Sequence, residues 1–123
     1  MTRRTVMTVD DSAAILTIIA AYLEDSEFTV VASERDGKRA VQTFQEVRPD
    51  IVLLDLIMPG MDGGKIFTAI QEIRPDLPVL LSSGYALDGQ AEVILQKGCR
   101  GFIQKPFNLT ELSEHVRKVL DQG

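Results

Sequence analysis

Hydrophobic and polar positions follow two alternating patterns along the chain. Short apolar runs bounded by turn residues are typical of buried strands, and apolar residues at helical spacing are typical of amphipathic helices. The five predicted strands span Thr5–Val9, Phe28–Ala32, Ile51–Leu54, Val79–Ser82 and Phe102–Gln104.

Five amphipathic helices are predicted between and after these strands. Their apolar stripes are expected to face a core, including Ile73 in the third helix and Leu109 in the last. Asn108 and Glu111 form a capping-box-like pair that opens the last helix. The other four predicted helices span Ala13–Glu24, Gly37–Val47, Lys65–Arg74 and Gln90–Lys97.

This order of elements predicts the fold class. Strands that alternate with helices form a parallel sheet through right-handed crossovers, with helices on both faces. Five such units predict an α/β, flavodoxin-like, doubly wound domain: a three-layer sandwich of a five-stranded parallel sheet, in the order 2-1-3-4-5, and five helices. With 123 residues the chain is expected to form a single domain over 1–123.

Composition excludes several classes of function. A formal net charge of -5 argues against direct nucleic-acid binding, which needs clustered lysine and arginine. No apolar stretch is long enough for membrane insertion, and Arg3-Arg4 is not followed by a signal-peptide core. Cys99 is the only cysteine, so it is expected to be a small buried filler in a protein of the reducing cytoplasm.

Three carboxylates lie at the predicted ends of strands. Asp10 and Asp11 follow the first strand, and Asp55 follows the third. These two strands are neighbours in the predicted order, and ligands of such sheets bind at the carboxyl ends of the strands. The carboxylates repel one another, and without compensation one would hold a proton. A hard divalent cation such as Mg²⁺ would remove the conflict, and Asp55 could then act as a nucleophile that forms an aspartyl-phosphate.

Two further strand ends supply groups that such a site needs. Ser83 offers a hydroxyl donor, and Lys105 offers a cation for phosphoryl oxygens. Taken singly, Asp10-Asp11 would be a helix cap with a solvated acid and Lys105 an exposed loop cation. Their combination at the ends of several strands favours a phosphoryl site.

Four segments of the chain resemble the receiver domain of bacterial two-component response regulators, a chemotaxis-regulator-like family. Each segment lies at the end of a predicted strand, and the resemblance extends over the whole chain. The segments are Val9–Ser12, Leu53–Gly63, Ser82–Tyr85 and Gly101–Phe107.

The resemblance implies phosphorelay signal transduction. Asp55 would accept a phosphoryl group from a sensor histidine kinase or phosphotransfer protein. Asp11, Asp55 and the backbone carbonyl of Ile57 would bind Mg²⁺, with Asp10 acting through water. Ser83 and Lys105 would hold the phosphoryl group.

The resemblance also implies a switch and one backbone feature. Ser83 and Phe102 would move on phosphorylation, and the bond between Lys105 and Pro106 would be cis. Ser83 stands where the family more often has threonine, and Phe102 where tyrosine is frequent. The output stays open between a stand-alone regulator and a receiver segment of a hybrid kinase or longer regulator, and the residues do not name the effector.

Rival functions fit the residues less well. A phosphatase with an Asp nucleophile needs a second Asp two residues later, but Ile57 occupies that position, so no turnover enzyme is expected. A dinucleotide site needs a glycine-rich turn where Asp10-Asp11-Ser12 stands. A non-phosphorylated, receiver-like interaction module is the remaining alternative.

Ile57 and Tyr85 are also expected to exclude attacking water and so to prolong the life of the aspartyl-phosphate.

Overall fold

The computed structural model describes residues 4–24, 26–58, 61–84 and 89–121. Within them lie seven strands and five helices. The strands are β1 (Arg4–Val9), β2 (Phe28–Glu34), β3 (Ile51–Asp55), β4 (Ile57–Met58), β5 (Met61–Asp62), β6 (Val79–Ser83) and β7 (Gly101–Gln104). The helices are α1 (Ala13–Leu23), α2 (Gly37–Val47), α3 (Gly63–Ile73), α4 (Gly89–Gln96) and α5 (Leu109–Asp121).

Five of the strands form one parallel sheet in the order β2-β1-β3-β6-β7. When these five strands are numbered by themselves, the order is 2-1-3-4-5, and the predicted fold class is confirmed. β4 and β5 pair separately as a short antiparallel ribbon, with Ile57 opposite Asp62. This ribbon is not among the five predicted strands, because two-residue strands are too short to show a hydrophobic period.

The helices cover both faces of the sheet and so make the predicted three layers. One hydrophobic cluster contains residues of α2, α3 and α4, and the other contains residues of α1 and α5. β3 lies between them: Val52 and Leu54 belong to the first cluster, and Ile51 and Leu53 to the second. Burial on both faces explains why this strand is an unbroken apolar run.

Two predicted inward-facing residues are exposed instead. Ile73 is 40% exposed and Leu109 is 45% exposed. Ile73 is the last residue of α3 and Leu109 the first of α5, so no further helical turn continues the packed stripe beyond either side chain. Asn108 does cap α5, since its Oδ1 accepts from the Glu111 backbone N–H at 2.8 Å.

Cys99 is buried, as expected of a filler. Its Sγ lies 3.1 Å from the Val79 carbonyl oxygen. Burial raises the pKa of the Cys99 thiol, so the thiol stays protonated at neutral pH. None of the described helices has both the length and the apolar composition needed to cross a membrane.

Gly63 begins α3 in close contact with the backbone that follows β3. A Cβ at this residue would lie 2.5 Å from the Leu56 carbonyl oxygen and 2.9 Å from the Asp55 carbonyl oxygen. The Gly63 backbone N–H also donates to the Leu56 carbonyl at 3.2 Å. Only glycine allows this approach, because backbone atoms at the end of a buried strand have no room to retreat.

We therefore expect Gly63→Ala to lower the free energy of unfolding by roughly 1–3 kcal/mol, the usual range for overpacking in a filled interior. Gly89→Ala is the matched control, because it also stands at the start of a helix but a Cβ there meets nothing within 4 Å. The control should be as stable as the parent or slightly more stable, since alanine favours a helix. Urea unfolding followed by circular dichroism measures both, and equal stabilities would contradict the argument.

Candidate functional site

Three carboxylates meet at the carboxyl edge of the sheet. β1 and β3 are hydrogen-bonded neighbours, and Val9 is paired with Leu54. Asp10 therefore leaves β1 beside the point where Asp55 ends β3. One carboxylate oxygen each from Asp10, Asp11 and Asp55 lies within 4.8 Å of the others. The structure thus brings together the three acids that the strand order had predicted to converge.

Lys105 provides a cation for the buried part of this acidic cluster. Asp10 is 2% exposed and Asp55 is 4% exposed, and carboxylates at such depth need a partner of opposite charge. The Lys105 Nζ lies 2.7 Å from the Asp10 Oδ2 and 3.5 Å from the Asp55 Oδ1. One lysine cannot neutralise three carboxylates, so the cluster keeps an excess of negative charge.

The end of β7 positions Lys105. Its backbone N–H donates to the Ser83 carbonyl oxygen at 2.7 Å, which continues the β6–β7 pairing by one residue. The bond between Lys105 and Pro106 is cis, as the family resemblance implied. The end of β7, which leads into Lys105, is therefore hydrogen-bonded to β6, which carries the predicted hydroxyl donor Ser83.

The two predicted switch residues lie on these same strands. Ser83 is buried at the end of β6, one residue beyond the pair formed by Asp55 and Ser82. Phe102 is half-buried on β7 and packs against the cluster that contains α4. Both residues thus lie on the side of Asp55 opposite to Asp10 and Asp11. Their movement on phosphorylation stays a prediction.

The loop between β1 and α1 is held by several polar contacts. The Asp10 backbone N–H donates to the Glu34 carbonyl at 3.0 Å, and the Asp10 Oδ1 accepts from the Ser12 backbone N–H at 2.9 Å. Ser12 caps α1, since its Oγ accepts from the Ile15 backbone N–H at 3.3 Å. Asp10 is thus held by backbone and side-chain contacts at once.

Sequence reasoning missed Arg35, which also contacts this loop. The Arg35 Nε donates to the Asp11 carbonyl oxygen at 3.0 Å. No local pattern signals such a contact, because the two residues come from different loops and meet only after β1 and β2 have paired. Gly63, whose backbone packs against that of Asp55 and Leu56, enters the prediction only as the end of the segment Leu53–Gly63. The neighbouring glycines and Pro59 are the signal from which a tight turn there could be predicted.

Parts of two predictions fall outside the described residues. The backbone of Ile57 lies in β4, directly after Asp55 and Leu56. The side chain of Ile57 and the whole of Tyr85 are not among the described residues, so their predicted exclusion of water stays a prediction.

The chemistry of the donor set fits a hard divalent cation. Carboxylate oxygens are the ligands that Mg²⁺ and similar ions prefer, and three of them converge here with charge left to neutralise. Soft or imidazole ligands are not part of this cluster. Cys99 is buried elsewhere, and the His115 Nδ1 lies 2.7 Å from the Glu111 carbonyl on the exposed part of α5.

Comparison with known proteins agrees with this geometry. The sequence model of the response regulator receiver domain family matches residues 6–117 of this chain. The chemotaxis protein CheY of Listeria monocytogenes is 36% identical over 110 residues, which cover 89% of this chain and 92% of that protein.

Solved structures are similar over nearly the whole chain. The CheX-CheY-BeF3-Mg+2 complex from Borrelia burgdorferi has a chain with a TM-score of 0.88 and 28% identity, covering 94% of this chain and 88% of that one. The signal receiver domain of the putative response regulator NarL from Mycobacterium tuberculosis has a TM-score of 0.88 and 27% identity, covering 100% of both chains. With the acids of β1 and β3 and the lysine after β7 in one pocket, and a family model matching most of its length, this chain belongs to the response regulator receiver domain family.

Proposed function

We propose that Asp55 is the residue of this receiver domain that accepts a phosphoryl group, donated by a histidine kinase or a phosphotransfer protein. The family serves phosphorelay signalling in two-component systems. The observation that carries the assignment is the position of Asp55: it ends the central strand and faces both the lysine and the other two acids. We further propose that residues 1–123 act as one receiver domain.

The proposed transfer exchanges one bond of phosphorus for another. A carboxylate oxygen of Asp55 bonds to phosphorus while the phosphorus–nitrogen bond of the donor phosphohistidine breaks. The bonding electrons return to the imidazole nitrogen, which is protonated from solvent, and Asp55 becomes an aspartyl-phosphate. The Lys105 Nζ, 3.5 Å from the Asp55 Oδ1, is close enough to bond an oxygen of the group transferred there.

Asp11, Asp55 and the backbone carbonyl of Ile57 would hold Mg²⁺, with Asp10 acting through water. The bound ion would neutralise charge that develops on the phosphoryl oxygens. The convergence of three carboxylates supports this ligand set. So does the relative from Borrelia burgdorferi, whose structure contains Mg²⁺ together with BeF3. Asp11 is half-exposed and makes no side-chain hydrogen bond among the described residues, which favours it as a direct ligand.

The proposed role of the aspartyl-phosphate is to transmit a signal, and the proposal does not include turnover of external phosphoesters. Ile57 stands two residues after Asp55, and its apolar side chain cannot transfer a proton. The phosphoryl group would therefore stay on Asp55 long enough to change the surface around Ser83 and Phe102. The alternative, a receiver-like interaction module without phosphorylation, predicts that no aspartyl-phosphate forms.

The first test of this proposal is the acceptor itself. We expect the protein to be labelled by acetyl phosphate in the presence of Mg²⁺ and Asp55→Asn to lose the label, because an amide oxygen is a far poorer nucleophile. Phos-tag electrophoresis measures the labelled fraction. Asp76→Asn, at an exposed aspartate, is the matched control and should label like the parent. Full labelling of Asp55→Asn would contradict the assignment, and no labelling of the parent would favour the interaction module.

A second prediction follows from the two contacts of Lys105. Lys105→Met should slow labelling by acetyl phosphate, because the phosphoryl oxygens lose their cation. The same variant should bind Mg²⁺ roughly tenfold more tightly, since a positive charge next to the acidic cluster has been removed. Calorimetric titration measures the affinity, with Lys118→Met on the surface of α5 as the control. Unchanged or weaker Mg²⁺ binding in Lys105→Met would show that the lysine does not compete for these carboxylates.

The third prediction concerns the switch. A ligand shifts a conformational equilibrium only through contacts that differ between the two states. A phosphoryl group on Asp55 would offer Ser83 a new acceptor, so we expect Ser83 to move toward it and Phe102 to turn inward. Crystal structures with and without beryllofluoride and Mg²⁺ are the measurement. Identical positions of both side chains in the two structures would exclude this switch.

A further inference from the structure

Two successive residues at the end of β2 hold the loop that carries Asp10 and Asp11. The Glu34 carbonyl accepts from the Asp10 backbone N–H at 3.0 Å, which extends the β1–β2 pairing past Val9. The Arg35 Nε donates to the carbonyl oxygen of Asp11 at 3.0 Å. The side chain of Arg35 thus contacts the loop one residue beyond the last backbone hydrogen bond that joins β2 to it.

Asp10 and Asp11 are held to very different degrees. Asp10 is buried, and its carboxylate is bound by Lys105 and by the Ser12 backbone N–H. The carboxylate of Asp11 makes no hydrogen bond among the described residues, and its backbone is reached from outside the loop by Arg35. Arg35 thus contacts Asp11 directly, whereas the other polar contacts described for this loop are made by Asp10 and Ser12.

We propose that Arg35 is a positioning residue for the metal site: it holds the Asp11 backbone so that the carboxylate faces Asp10 and Asp55, and it thereby raises the affinity for Mg²⁺. The inference rests on the proposed function, because it takes Asp11 as a direct ligand. Arg35 itself is not a ligand, since a guanidinium has no lone pair to offer.

The charge of Arg35 lowers the affinity for Mg²⁺, whereas its hydrogen bond to Asp11 raises that affinity, so the two effects have to be compared. A guanidinium repels a cation bound nearby. Arg35 is exposed, however, and solvent and salt screen an exposed charge, so the repulsion should change the affinity by no more than about twofold at physiological ionic strength. Loss of a hydrogen bond that orders a ligand should weaken binding by about threefold to tenfold. The positioning effect is therefore the larger.

Two substitutions separate these effects. In glutamine the amide nitrogen is bonded to Cδ, as the Nε of arginine is, so Arg35→Gln removes the charge and keeps a donor at the same place. Arg35→Met has similar length and removes both charge and donor. We expect Arg35→Met to bind Mg²⁺ about threefold to tenfold more weakly than the parent and Arg35→Gln to remain within about twofold of it.

Calorimetric titration with Mg²⁺ alone measures these affinities, with Arg39→Met on the surface of α2 as a control for the loss of an exposed arginine. Weak binding by Arg35→Met that Arg35→Gln restores supports the proposal, since a general loss of structure would not be repaired by an uncharged donor. Parent-like or tighter binding by Arg35→Met overturns it, as does equal weakening in both variants.

Asp11→Ala, measured in the same way, distinguishes failure of this inference from failure of the metal site. If Asp11→Ala binds Mg²⁺ as tightly as the parent, Asp11 is not a ligand and the proposed site is wrong. If Asp11→Ala binds weakly while Arg35→Met binds like the parent, the site stands and only the role of Arg35 is overturned.

Discussion

Carboxylates that lie close together at the carboxyl edge of the sheet constrain the architecture of this receiver domain. Asp10 and Asp55 are almost completely buried and lie next to Asp11, and such a group is stable only if cations reach it. Lys105 meets this requirement from the far side of β3. Its contacts with Asp10 and Asp55 join the ends of β1, β3 and β7, although the residues lie far apart in the sequence.

The rest of the fold keeps these side chains in place. β3 is packed on both faces, so the strand that ends in Asp55 is fixed between two layers of helices. Behind it, the Leu56 backbone N–H donates to the Ser82 carbonyl at 2.8 Å, and Gly63 lets α3 approach the same turn. The backbone around Asp55, the proposed acceptor, is therefore held by contacts on both sides of the turn.

The sequence was sufficient for the fold class and for the convergence of the acids, because burial leaves a clear periodic record and strand order follows from the alternation of elements. It was insufficient where geometry depends on contacts between distant loops. Arg35 bonds a carbonyl, which any donor of suitable length can do, so its role leaves no motif. The exposure of Ile73 and Leu109 was missed because helical spacing does not reveal where a packed stripe stops.

The central position of Asp55 in the sheet divides the pocket into two halves. On one side, β1 and β2 carry the acids and the loop contacts that hold them; on the other, β6 and β7 carry Ser83, Phe102 and Lys105. In the proposed function the first half would supply most of the groups for the cation, and the second the groups that respond to the phosphoryl group. Because β3 separates the two halves and Lys105 joins them, substitutions in β7 and α4 that spare Lys105 should leave the geometry of the acids unchanged. Such a domain could therefore acquire new binding partners on that surface while the proposed acceptor site stays intact.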